Sequence, residues 1–101
     1  MTVHLEYAAF ANNLNTKFRI KIDDSNTIEA ELTELTEHLV SPRQERFSII
    51  FRGPNETLLG QGMHYFKHDQ MGEFDLFLVP ISQDDRGTYY EAVFNRLVKQ
   101  T

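Results

Sequence analysis

A chain of 101 residues, 41% apolar and 25% charged, is long enough for one domain (1–101) with a single core. It contains no cysteine, which excludes disulfide staples, thiolate nucleophiles and cysteine zinc sites. A net charge of −5 argues against nucleic acid as a partner and against docking on an anionic membrane, since both require a basic surface.

The first residues, MTVHLEYAAFANNLN, lack a basic stretch followed by an apolar one, so no signal peptide is expected. The longest apolar run, Leu76 to Ile81 with Pro80 inside it, is six residues; a membrane-spanning helix needs roughly 20. The expected location is the cytoplasm, with incorporation into a larger assembly as the alternative fate.

Leu5 to Leu14 reads as a short helix. Leu5, Ala8, Ala9 and Phe10 fall near one face, and Asn12, Asn13 and Asn15 end it. A helix this short is marginal alone, so it must dock through Leu5, Phe10 and Leu14. Thr16 to Ile22 alternates, with Phe18, Ile20 and Ile22 on one face and Lys17, Arg19 and Lys21 on the other, as in a half-buried strand. Asp23 to Asn26 is a turn.

Thr27 to Leu39 fits two periods. Ile28, Leu32, Leu35 and Leu39 suit a helical face, whereas Ile28, Ala30 and Leu32 suit a strand whose phase shifts before Leu35. The short preceding turn favours a hairpin, hence a strand with a bulge near Thr33 to Leu35 that absorbs the shift. A helix is the alternative. Ser41-Pro42-Arg43-Gln44 is a turn with proline at its favoured second position.

Arg46 to Arg52 is a strand with Phe47, Ile49 and Phe51 inward, and Gly60 to His68 is the next. Asp69 to Gly72 reverses the chain, with glycine available for a positive φ. Glu73 to Ile81 is the most apolar strand: Phe74, Leu76 and Leu78 form one face, and Phe77, Val79 and Ile81 the other. A strand apolar on both faces is expected to be buried on both, so either the N-terminal helix or a partner chain covers the second. Thr88 to Leu97 closes the set, with Tyr90, Ala92 and Phe94 on one face and Tyr89, Glu91, Val93 and Asn95 on the other. The expected fold is all-β: a six-stranded antiparallel meander, barrel or small sandwich, with a short N-terminal helix.

No catalytic, cofactor or metal motif stands out. His64 and His68 lie about 13 Å apart if Gly60 to His68 is a strand, too far to share one zinc ion with bonds of about 2 Å; they read as hydrogen-bonded or solvent-facing surface histidines. Asp23-Asp24 and Asp84-Asp85 read as turns, because the repeated oxygen ligands of a calcium loop are missing. Glu29, Glu31, Glu34 and Glu37 read as a solvated face. Gly60 and Gly62 lack the rest of a phosphate-binding fingerprint, and none of the serines sits in a nucleophile elbow. The aromatics of the last three strands occupy both phases and read either as barrel core plus docked helix or as a protein–protein surface. On the second reading, Phe77, Val79, Ile81, Tyr65 and Tyr89 are the candidate interaction surface.

Four stretches carry a resemblance: Phe51-Arg52-Gly53-Pro54; Gln61-Gly62 with Tyr65 and His68; Gly72-x-Phe74-x-Leu76-Phe77-Leu78-Val79-Pro80; and Tyr90-Glu91-Ala92-Val93-Phe94-Asn95. Together they resemble a small bacterial family of domains of unknown function of about this length, often encoded near phage-tail-like proteins. The resemblance implies a small accessory part of a tail-like assembly and supplies no catalytic residue. The expected function is a non-enzymatic structural or interaction module that binds a protein partner or itself without a cofactor. The alternative is a small-ligand-binding β-barrel, with room left by Gly60 and Gly62 and aromatics lining a cavity.

Overall fold

The computed structural model describes residues 6–36 and 39–97. They form one short helix, α1 (Tyr7–Ala11), and seven strands: β1 (Lys17–Lys21), β2 (Thr27–Leu35), β3 (Leu39–Val40), β4 (Gln44–Gly53), β5 (Gly62–His68), β6 (Gly72–Asp84) and β7 (Gly87–Leu97). All pairings are antiparallel. The sheet runs β2-β1-β5-β6-β7-β4-β3, and a further β2–β4 pairing closes it into a six-stranded barrel with β3 appended to the outer end of β4. Closure leaves most strands without a free edge.

The ambiguous segment is a strand. Its pairing with β4 slips between Leu32 and Glu34, so the extra residue is Thr33, inside the expected bulge. The strand stops at Leu35, and Leu39 starts β3 rather than ending β2; Glu37 and His38 lie outside the described residues. A second slip lies between Pro80 and Ser82. The long β6 thereby serves two neighbours: Gly72 to Leu78 pair with β5, and Val79 to Asp84 with β7.

Inward positions fill the barrel. Phe18, Ile20, Leu32, Ile49, Phe51, Phe66, Leu78 and Tyr90 are fully buried. Phe51 lies 5.1 Å from Phe18 and 5.0 Å from Phe66, and Phe66 stacks on Phe74 at 5.5 Å. Such close-packed aromatic contacts add to the burial of their area.

The helix plugs one mouth. Its only buried residue is Phe10, which packs on Phe47, Phe74 and Phe94 at 6.4, 6.2 and 5.5 Å. Glu6 supplies no side-chain cap. The asparagine run ends the helix as expected: Asn13 Nδ2 donates to the Ala9 carbonyl, and Asn15 turns left-handed at φ 68°. Leu14, an expected anchor, is 39% exposed; Leu5 lies outside the described residues. At the other mouth, Leu59 from the β4–β5 connection is buried, and its N–H donates to the Tyr90 hydroxyl at 2.9 Å.

Of the two expected covers for the outer face of β6, the N-terminal helix is not one. Phe77 and Ile81 are 48% and 45% exposed. The helix seals the mouth from inside the aromatic cluster and does not cover the outer face of β6.

Candidate functional site

The outside of the barrel has two unlike halves. On β1 and β2 the outward residues are charged and matched. Lys17 faces Glu31 and Arg19 faces Glu29 across the ladder. Arg52 on β4 reaches Glu31 at 3.3 Å, and Arg19 reaches Asp69 at 2.9 Å. Exposed pairs of this kind contribute at most about 1 kcal/mol each; their main effect is to keep this half hydrated.

The other half carries an apolar row among its polar residues. Met63 on β5 sits directly opposite Phe77 on β6. Val93 on β7 lies two residues beyond the Val79–Glu91 pair, on the side toward Phe77. Met63, Phe77 and Val93 are 63%, 48% and 55% exposed and form a row across three strands, with Ile81 further along β6. Uncompensated apolar surface of this kind is characteristic of binding sites.

The five sequence-derived candidates all lie on the outer surface, but they do not form one patch. Phe77 and Ile81 belong to the half that carries the apolar row, and half-buried Val79 lies between them. Tyr65 faces Asp75 instead, with the Lys21 ammonium 6.0 Å from its ring. Tyr89 sits by the β6–β7 turn and donates its hydroxyl proton to Asp84 Oδ2 at 3.1 Å. Met63 and Val93 were not singled out from the sequence. Their outward strand phase was the available signal, but lone aliphatics stand out less than aromatics.

Several of the remaining polar groups are bonded within the fold. His68 is buried, 5% exposed, which corrects its reading as a surface residue. Its Nδ1 accepts the N–H groups of Gln70 and Met71 at 3.0 and 3.1 Å. Its Nε2 lies 2.9 Å from Thr16 Oγ1, which itself donates to the Asn13 carbonyl at 2.7 Å. That chain of bonds fixes the neutral ring with the proton on Nε2. Burial pushes its pKa down, the nearby Asp69 opposes the shift and Arg19 reinforces it. His64 bonds the Gly60 carbonyl through Nε2 at 2.7 Å. Among the described residues, no three His, Cys, Asp or Glu side chains converge.

Both acidic turns are held by their own carboxylates. Asp23 accepts from the Asn26 side chain and from the Ser25 N–H, which hold its pKa below the usual range. Asp84 accepts from the Arg86 N–H and the Tyr89 hydroxyl, with the same effect. Arg52 pairs with Glu31 across β2 and β4. A Cβ at Gly53 would stand 3.4 Å from the Tyr90 ring, an ordinary contact, and the residue has no positive φ. Three cations, Lys17, Arg52 and Arg86, line a cleft of about 400 Å³ together with Glu29 and Glu31.

No curated protein and no solved structure matches this chain. A family model does match it, over residues 5–94, which include the whole of β1 to β6, most of β7 and the row from Met63 to Val93. The chain belongs to that family, described as a domain of unknown function (DUF6916).

Proposed function

We propose that the chain is a non-enzymatic structural and interaction module. The observation that carries this reading is the outward apolar row Met63–Phe77–Val93, set against a charged, internally matched opposite half. The packed aromatic interior supports it over a ligand-holding barrel, because side chains occupy the space a ligand would use. A finer form of the reading, supported by the resemblance of the second half of the chain, makes the partner a component of a phage-tail-like assembly and the cytoplasm the place where the module is made.

A photo-crosslinking residue at position 63, expressed in the native cell, is expected to capture one defined protein. The same residue at position 29, in the charged half, is expected to capture none. Equal labelling from both positions, or none from either, overturns the reading. Co-sedimentation of the captured complex with tail-like particles tests the finer form, and its absence from them removes that form alone.

A further inference from the structure

Across the β4–β7 ladder, Ser48 faces Val93. The Ser48 main chain is turned away from β7: its carbonyl accepts the Thr36 N–H at 2.9 Å, and its N–H donates to Thr36 Oγ1 at 2.8 Å. Successive residues of an antiparallel strand direct their N–H and C=O groups alternately to one neighbour and the other. Val93 and Asn95 therefore point their main-chain groups away from β4, toward the side on which β6 bonds β7. The β6–β7 ladder, however, ends at the Val79–Glu91 pair.

From there the two strands diverge. Residues Gly72 to Leu78 of β6 bond β5, and by the same alternation Glu73, Asp75 and Phe77 turn their main-chain groups to the vacated side. The Phe10 ring is wedged between Phe74 of β6 and Phe94 of β7. The result is a slot floored by an aromatic ring, with a strand edge on each wall that no strand among the described residues pairs.

Two other edges in the fold are guarded. The far part of β6 carries Pro80 and a bulge, and β3 is two residues long and followed by Pro42. Short strands, prolines and bulges are the usual means of blocking strand addition. Ala92 to Leu97 has none of them.

We propose that this slot accepts one extended segment of a partner protein as an added strand between β6 and β7. This rests on the interaction-module reading and names the form of the partner. A single segment has two free edges and fits both walls. The β7 of a second copy brings only one, because its other side is bonded to β4 through ten residue pairs. The outward wall residues set the chemistry. Phe77 and Val93 ask for an apolar side chain at the closed end of the slot. Asp75, exposed and opposite Tyr65 rather than a cation, asks for a basic one further along. Strand addition of this type takes affinity from main-chain bonds and specificity from alternate side chains.

The test is to pan a displayed library of random ten-residue peptides against the chain and to follow amide exchange at Val93 and Asn95. Enriched peptides should alternate apolar and basic residues and slow exchange at both amides at least tenfold. Asn95→Pro removes an N–H that faces the slot and not β4, so it should weaken binding at least tenfold while the barrel stays folded. Asp75→Lys should lose the preference for basic peptides. The proposal is overturned if no peptide is enriched, if enriched peptides bind Asn95→Pro equally well, or if the two amides are already protected in the isolated chain. Protection that rises with protein concentration alone would assign the slot to a second copy and overturn it as well. Crosslinking from position 63 reads the apolar row independently, so the module reading survives failure of the slot.

Discussion

The Tyr90 hydroxyl takes the Leu59 N–H at 2.9 Å, joining the last strand to the connection that crosses the barrel mouth. Both residues are buried, so the N–H has no ready substitute in water. Tyr90→Phe keeps the ring and leaves that donor unpaired. The expected cost is about 1–3 kcal/mol, read as a lower urea midpoint with an unchanged slope. An unchanged midpoint would mean that the connection finds another acceptor.

His68 gives the fold a pH dependence. Its folded pKa is depressed by burial, so the unfolded chain binds the proton more readily. Its contribution to stability is complete above the unfolded value of about 6.5 and is lost as pH falls through the lower folded value. The urea midpoint should therefore drop on acidification below that point, and His68→Gln should flatten this part of the curve. A midpoint that rises on acidification in this range would contradict the buried neutral ring.

Two glycines should respond in opposite ways. A methyl group at Gly87 would collide with the Gly53 carbonyl oxygen and approach Arg52 Cγ to 2.8 Å, whereas one at Gly60 meets nothing within 4 Å. Gly87→Ala is expected to cost about 1–3 kcal/mol. Gly60→Ala should be neutral or stabilising by up to about 1 kcal/mol. Chemical denaturation of both variants measures the difference, and equal costs would refute the close approach at Gly87.

The helix has one fully buried residue, Phe10, with Tyr7 packed edge-on against Phe47 at 5.3 Å. Phe10→Ala removes a fully buried ring from between three others and should cost about 3–5 kcal/mol. Leu14→Ala, on a largely exposed side chain, should fall within about 0.5 kcal/mol. Comparable losses would mean that Leu14 docks.

Strand phase made much of this legible. The alternation of Phe18/Ile20, Phe47/Ile49/Phe51 and Tyr90/Ala92 places each residue on the face it occupies, and the slipped period around Leu35 marks the bulge at Thr33. Closure was not legible, because the β2–β4 and β1–β5 pairings join segments whose separation the chain does not advertise. Nor was the burial of His68. A histidine in inward phase reads as surface until Thr16 and the Gln70–Met71 turn are brought around it. The fate of Phe77 was not legible either: apolar phase asks for a cover, and only the folded chain shows that the helix does not supply it.

The ten-pair ladder between β4 and β7 has a consequence for synthesis. β7 is the last of the described strands to leave the ribosome, yet it is the principal neighbour of β4 and supplies Tyr90 to the core. Until it emerges, Phe47, Ile49 and Phe51 have no completed sheet to join. Vectorial folding of this barrel therefore stalls near its end, and a nascent chain lacking residues 87–97 exposes an aromatic strand of the kind that chaperones bind.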